Sequence, residues 1–204
     1  KQGKVLNWLV YDNHQELATY FATRCDVRDA VLGSSTLIFA SEFGYLEIVQ
    51  ALLGREGTDV NREDVYGNIA LHDASEKGHI EVARALLQAG ANARKINEEG
   101  RTPLHLASGE GHIEIVRALL EGGAGADVRK CDNIGHSPIS HACQRKHFEV
   151  FRALVEAGGD VNKLDSVGWT ALHWASYYGL TEGVRYLCVE RGMASPQRYI
   201  SKQT

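Results

Sequence analysis

The stretch Gly100–Gly123, GRTPLHLASGEGHIEIVRALLEGG, contains the pattern of two short helices separated by a glycine. Pro103 suits the first turn of a helix, where its missing N–H is not needed. Gly111 fits the left-handed residue that ends a helix, and the apolar residues of His112–Glu121 then recur at helical spacing. Neither helix buries its apolar face alone, so the stretch predicts one unit of a stacked array.

Four further copies of this unit occur in the chain. They begin at Gly33, Gly67, Gly135 and Gly168, so successive copies start 33 to 35 residues apart. Leucine pairs mark the same face of the second helix in three of the copies, as at Leu119 and Leu120. A fixed period of this size indicates a repeat architecture in which each unit contacts only its neighbours.

The motifs TPLHLA (Thr102–Ala107) and TALHWA (Thr170–Ala175) resemble the ankyrin repeat, a 33-residue unit that contains T-P-L-H-x-A. The resemblance extends over about four fifths of the chain. It implies an all-α fold, an ankyrin-repeat solenoid of stacked helix-turn-helix units with protruding β-turn or hairpin fingers.

We predict one continuous domain with three parts. Residues 1–29 align with the helix pair of the next unit and are predicted to form a degenerate N-terminal capping repeat, because a terminal repeat has one face in water. The alternative is a helix that belongs to a preceding repeat. Five ankyrin repeats follow at about 30–63, 64–96, 97–131, 132–164 and 165–192. Residues 193–204 are expected to be a disordered tail.

Composition argues against several classes of protein. Lys and Arg number 22 and Asp and Glu 26, so the formal charge is −4 and the chain is a poor default binder of nucleic acid. No apolar run approaches the ~20 residues that span a bilayer, so we expect no membrane insertion. The four cysteines form no CxxC pair, which favours free thiols in an intracellular, reducing compartment, the cytoplasm or nucleus. We expect the isolated domain to be monomeric.

Most of the nine histidines belong to the repeat frame. One position of the unit holds His72, His105 and His173. A second position holds His79, His112 and His147, and His14 aligns with it. Residues one repeat apart do not converge on one point, which argues against a shared chemical site. The resemblance also implies that the histidine of the TPLH motif hydrogen-bonds neighbouring turns. We therefore predict structural roles for these seven.

His136 and His141, both in the fourth unit, fall outside this frame. A metal site would need more ligands than this pair, and Cys143 points away because it lies only two residues along a helix from His141. We predict no metal and no cofactor, and leave pH-sensitive partner contact and plain packing open for both histidines. No nucleophile elbow, H-E-x-x-H motif or phosphate loop is present, so we predict no enzymatic activity.

The resemblance implies that another protein binds along the concave surface formed by the fingers and first helices. These positions differ between copies while the frame repeats, as expected for positions that serve a ligand. The predicted partner-binding residues are Tyr66, Asn68, Lys77, Glu99, Arg101, Glu110, Ile134, His136, His141, Arg145, Trp169, Trp174, Tyr177 and Tyr178.

The last unit carries the most distinctive of these residues. Trp169, Tyr177 and Tyr178 fall in positions predicted to be exposed, beside Trp174, and such aromatic residues are enriched at interface hot spots. Inward packing of Trp174 remains an alternative.

The leading hypothesis for the function of the chain is a non-catalytic protein-interaction module, part of a larger protein or an adaptor. The alternatives are nucleotide-like ligand sensing by the aromatic patch and a purely architectural spacer.

Two asparagines lie in a further recognisable context. LGREGTDVN ends at Asn61 and LVEAGGDVN at Asn162, and both resemble the L-x5-D-V-N context of β-hydroxylated ankyrin asparagines. The other interpretation is that both side chains only stabilise turns.

Overall fold

The computed structural model describes residues 30–121, 127–159, 161, 162 and 164–192. The predicted capping unit at residues 1–29 and the predicted tail at 193–204 lie outside the described residues, as does most of the glycine-rich insertion before Asp127.

Five helix pairs follow one another along the described chain. Their bounds are α1 Ala30–Glu42, α2 Leu46–Leu53, α3 Ala70–Lys77, α4 Ile80–Gln88, α5 Pro103–Glu110, α6 Ile113–Leu120, α7 Pro138–Gln144, α8 Phe148–Glu156, α9 Ala171–Tyr177 and α10 Thr181–Arg185. A π-helical turn, Tyr186–Glu190, continues directly from α10.

The helices form two layers of a solenoid. The first helices of the pairs, α1, α3, α5, α7 and α9, pack against one another in series, and the second helices, α2, α4, α6, α8 and α10, do the same. Leucines of both layers fill the space between them and are fully buried, among them Leu71, Leu86, Leu104 and Leu119. The predicted all-α repeat solenoid is confirmed.

The fingers are tight turns, and no β-strand occurs in the part of the chain that the structure describes. In the fourth finger, for example, Asp132 donates its N–H to the carbonyl of His136, and Gly135 donates back to the carbonyl of Asp132. Neighbouring fingers are joined by single backbone hydrogen bonds, such as Asn133 N–H to Glu99 O at 3.0 Å. Hairpin strands are therefore not needed to order the fingers.

The histidines that follow the helix break lock adjacent pairs together. The His112 ring lies over Gly78 of the preceding unit, where a Cβ atom would come within 2.6 Å of it, and Gly78 has a φ of 85°. Its Nε2–H donates to the carbonyl of Glu76 at 2.9 Å, and His79 makes the same bond to Glu42 at 3.0 Å. These contacts support the structural role predicted for this position.

Candidate functional site

The bases of the fourth and fifth fingers each place three side chains close together, at positions n, n+4 and n+9 of the unit. In the fourth unit these are Asp132, His136 and His141. The Oδ1 atom of Asp132 accepts the backbone N–H groups of Ile134 at 3.2 Å and His136 at 2.8 Å, which orders the turn. The second oxygen, Oδ2, points toward α7 and lies 2.9 Å from His141 Nε2.

The fifth unit repeats this arrangement with different side chains. Asp165 Oδ1 accepts the N–H groups of Val167 and Trp169, and Asp165 Oδ2 accepts the indole N–H of Trp174. Asp132 and Asp165 are not among the residues predicted from sequence, although an aspartate recurs three residues before the finger glycine in three units and was a signal for both.

An aromatic cluster covers the fifth unit. Trp174 stacks on Tyr178 with ring centroids 5.6 Å apart and an interplanar angle of 10°, and it contacts Trp169 at 4.5 Å. The edge of His136 meets Trp174 at 4.6 Å, and Tyr177 packs on Trp169 at 5.1 Å. The aromatic residues that the sequence analysis singled out in this unit therefore lie together, joined across the repeat boundary by His136.

The predicted contact residues differ in exposure. Those exposed to solvent are Tyr66, Lys77, Glu99, Glu110, Ile134, Arg145 and Tyr177. Asn68, Arg101, His136, Trp169 and Tyr178 are half-buried.

His141 and Trp174 require a correction, because only 8 % and 6 % of their surface is exposed. Each directs its ring nitrogen inward to a finger aspartate, which removes it from the outer surface. The alternative of inward packing therefore describes Trp174. Trp169 and Tyr178, expected to be exposed, are partly covered by the same cluster.

The charged residues of this face are already paired. Arg101 lies 2.8 Å from Glu99 and 3.6 Å from Asp132, and Arg145 lies 3.5 Å from Glu110. The Arg101–Glu99 and Arg145–Glu110 pairs are largely exposed and contribute only about 0–1 kcal/mol each, so a partner can exchange them at little cost.

The histidines of the TPLH position each accept the N–H of the residue that precedes their helix, and His72 also bonds to the next finger. His72 accepts the Ile69 N–H at Nδ1 and donates from Nε2 to the carbonyl of Arg101 in the next finger, at 3.1 and 3.2 Å. Burial lowers the pKa of His72 to about 4, so the ring is neutral at pH 7. Burial also lowers the pKa of His105 to about 4. His173 accepts the Thr170 N–H at 3.2 Å.

One of the two candidate hydroxylation sites bridges adjacent units. Asn61 Oδ1 accepts the N–H of Asn92 at 2.7 Å, and its Nδ2 donates to the carbonyl of Gly90 at 3.3 Å. Asn162 is exposed. The turn-stabilising interpretation therefore has direct geometric support at Asn61, and modification of either residue stays a prediction.

The remaining sequence expectations concern cysteines and membranes. Cys131, Cys143 and Cys188 are free thiols, and burial raises the pKa of Cys143 well above its usual range, so this thiol is unreactive. No helix within the described ranges has the length and apolar character needed to cross a bilayer.

Comparison with known proteins agrees with this geometry. A family model described as ankyrin repeats (3 copies) matches residues 37–130 and 124–198. A comparison with curated protein sequences gives no match. The family model covers most of the chain, and the helix pairs and fingers repeat through the residues that it matches. The chain belongs to the ankyrin-repeat family.

Proposed function

We propose that this chain is a protein-interaction module that binds its partner on the face formed by the fingers and the ends of the first helices. Ankyrin repeats are in general protein–protein interaction modules and are typically non-catalytic. The choice of face rests on one observation, the apolar side chains that the fingers and first helices leave in solvent.

These exposed apolar side chains recur from unit to unit. The second finger presents Tyr66 at 65 % exposure, the fourth presents Ile134 at 62 %, and the end of α9 presents Tyr177 at 68 %. Tyr66 and Ile134 occupy the same finger position, directly before the finger glycine, and Tyr177 is the last residue of a first helix. Large apolar residues held in solvent on an ordered scaffold are typical of a docking surface.

The aromatic cluster favours a protein partner over a stacked small ligand. Trp174 is buried, with Tyr178 stacked on its ring and His136 and Trp169 packed close to it, so it offers no open face to a base. Tyr177 alone of the cluster is largely in solvent, with Trp169 and Tyr178 partly accessible beside it. A ridge of this kind fits a pocket or groove on a protein, where tyrosine and tryptophan contribute disproportionately to affinity.

Paired substitutions test the proposed surface. Ile134→Ser combined with Tyr177→Ser removes two exposed apolar side chains from the finger face. Val189→Ser removes one from the end of the second-helix layer, where Val189 is 73 % exposed, and serves as the matched control. Both variants should fold, since none of the three side chains is buried, although Tyr177→Ser also removes the ring contact with Trp169.

The readout is the set of proteins retained by each immobilised chain, followed by calorimetry with the partner so identified. We expect the finger-face variant to weaken that complex by more than about 1 kcal/mol and the control to leave it unchanged. Equal retention by all three chains, or a loss confined to the Val189→Ser variant, would contradict the proposed surface.

A further inference from the structure

The fourth finger brings together three side chains that are typical metal ligands. One ligand atom each from Asp132, His136 and His141 lies within 4.8 Å of the other two. Asp132 and His141 are buried and His136 is half-buried, so the group lies at the edge of the fold, within reach of solvent. Two imidazoles and one carboxylate are a donor set found in zinc sites with three protein ligands.

The repeat frame explains how the three side chains meet. Asp132 uses Oδ1 to cap the finger, and this leaves Oδ2 directed at α7, where His141 lies nine residues further along the chain. His136 closes the finger through its backbone carbonyl, and its side chain faces the ring of His141 at 5.8 Å between centroids. Main-chain hydrogen bonds therefore fix the positions from which all three side chains project.

The fourth unit differs from its neighbours in the chemistry at these positions. The corresponding trios are Asp64, Asn68 and Asp73 in the second unit, Asn97, Arg101 and Leu106 in the third, and Asp165, Trp169 and Trp174 in the fifth. Among the four sets that the structure describes, the fourth alone combines two imidazoles with a carboxylate. Fold requirements alone do not demand this combination, because the other units adopt the same turn without it.

The charged groups around Asp132 are compatible with a bound cation. Arg101 Nε lies 3.6 Å from Asp132 Oδ2, but the Arg101 guanidinium also pairs with Glu99 at 2.8 Å. It therefore retains a partner when a metal ion takes over the carboxylate. The metal would replace the proton that His141 now shares with Asp132.

We propose that Asp132, His136 and His141 bind a divalent transition-metal ion, with Zn²⁺ as the best match, and that water completes the coordination. Neutral imidazole and carboxylate suit Zn²⁺, and three protein ligands leave one position open to solvent or to a group from a partner. The ion joins the fourth finger to α7, directly beneath the edge of the aromatic cluster.

Calorimetric titration of the full chain with ZnCl₂ tests the proposal. We expect one ion per chain. Three substitutions each remove one proposed ligand: His136→Gln, His141→Asn and Asp132→Asn. Each should weaken Zn²⁺ binding at least roughly tenfold, because losing even a residue that only hydrogen-bonds to a metal ligand has an effect of that size. His147→Asn, which removes an imidazole from the start of α8, is the matched control and should bind like the wild type.

Trp174 provides a second readout, because its ring lies 4.6 Å from that of His136. Co²⁺ should quench tryptophan fluorescence in the wild type. Trp174→Phe should reduce the quenching while keeping the calorimetric affinity. This measurement separates metal at the proposed position from metal bound elsewhere on the chain.

His136→Gln is the decisive variant, since its side chain is only half-buried and its folding can be checked by circular dichroism. The proposal is overturned if the wild type takes up no Zn²⁺, or if folded His136→Gln binds as tightly as the wild type. It is also overturned if His147→Asn weakens binding to the same extent.

Discussion

The indole N–H of Trp174 donates a hydrogen bond to the carboxylate of Asp165, nine residues earlier in the chain. This bond ties the last finger to α9 and turns the ring inward. Trp174, a predicted contact residue for which inward packing was the alternative, therefore belongs in part to the frame, and the rings of Tyr177 and Tyr178 pack against it.

Trp174→Phe should lower the free energy of unfolding by about 1–3 kcal/mol. Phenylalanine keeps much of the stacking on Tyr178 but leaves the carboxylate of Asp165 without its side-chain donor, and hydrogen bonds to charged groups contribute in this range. Urea denaturation followed by circular dichroism measures the change.

Trp169→Phe is the control for this substitution, because Trp169 is half-buried in the same cluster and is also replaced by phenylalanine. It should cost less than Trp174→Phe. Equal losses for the two variants would show that ring volume, and not the bond to Asp165, determines the stability of the fifth unit.

The periodic part of the structure was predictable from sequence because every unit solves the same packing problem. Pro103 and Gly111 mark the ends of α5 directly, and the apolar spacing in α6 defines its buried face. The orientation of Trp174 and His141 was not predictable in this way. It depends on a hydrogen bond to an aspartate in the preceding finger. No sequence pattern near the helix indicates that one oxygen of that aspartate stays available for this bond after the turn has formed.

Lys146→Gly should stabilise the protein by up to about 1 kcal/mol. Lys146 has a φ of 62° and is the one non-glycine residue with positive φ among the described residues. A Cβ atom is disfavoured in this left-handed conformation, and the gain from removing it is partly offset by the greater freedom of glycine in the unfolded chain. Thermal and urea denaturation measure the change.

Gly111→Ala at the equivalent position of the third unit should do the opposite. Gly111 has a φ of 82°, and an added Cβ would also come within 2.5 Å of the His147 ring. We expect a loss of more than about 1 kcal/mol. If Lys146→Gly destabilised the chain as well, helix termination at this position would not be controlled by backbone conformation.

Acid should destabilise the array between about pH 6.5 and pH 4 through His72. The pKa of His72 is lowered to about 4 in the folded chain, chiefly by burial, whereas the unfolded chain takes up the proton near 6.5. The unfolded state therefore binds more protons in this window, and stability falls as the pH falls. His72→Asn should be less stable than the wild type at pH 7 and should lose less on acidification, which urea titrations at a series of pH values would reveal.

Asp73→Asn should stabilise the protein above about pH 7 and give little benefit near pH 4. Burial, together with the carboxylates of Asp64, Glu42 and Glu76, raises the pKa of Asp73 to about 7, and its Oδ2 is buried with no hydrogen-bond partner. The folded chain thus holds a proton that the unfolded chain releases near 3.8, so the wild type loses stability as the pH rises toward 7. Asparagine has nearly the same shape and carries no charge, which removes this loss. The difference in melting temperature between variant and wild type should grow from about pH 4 to pH 8, and a constant difference would show that Asp73 does not titrate in this range.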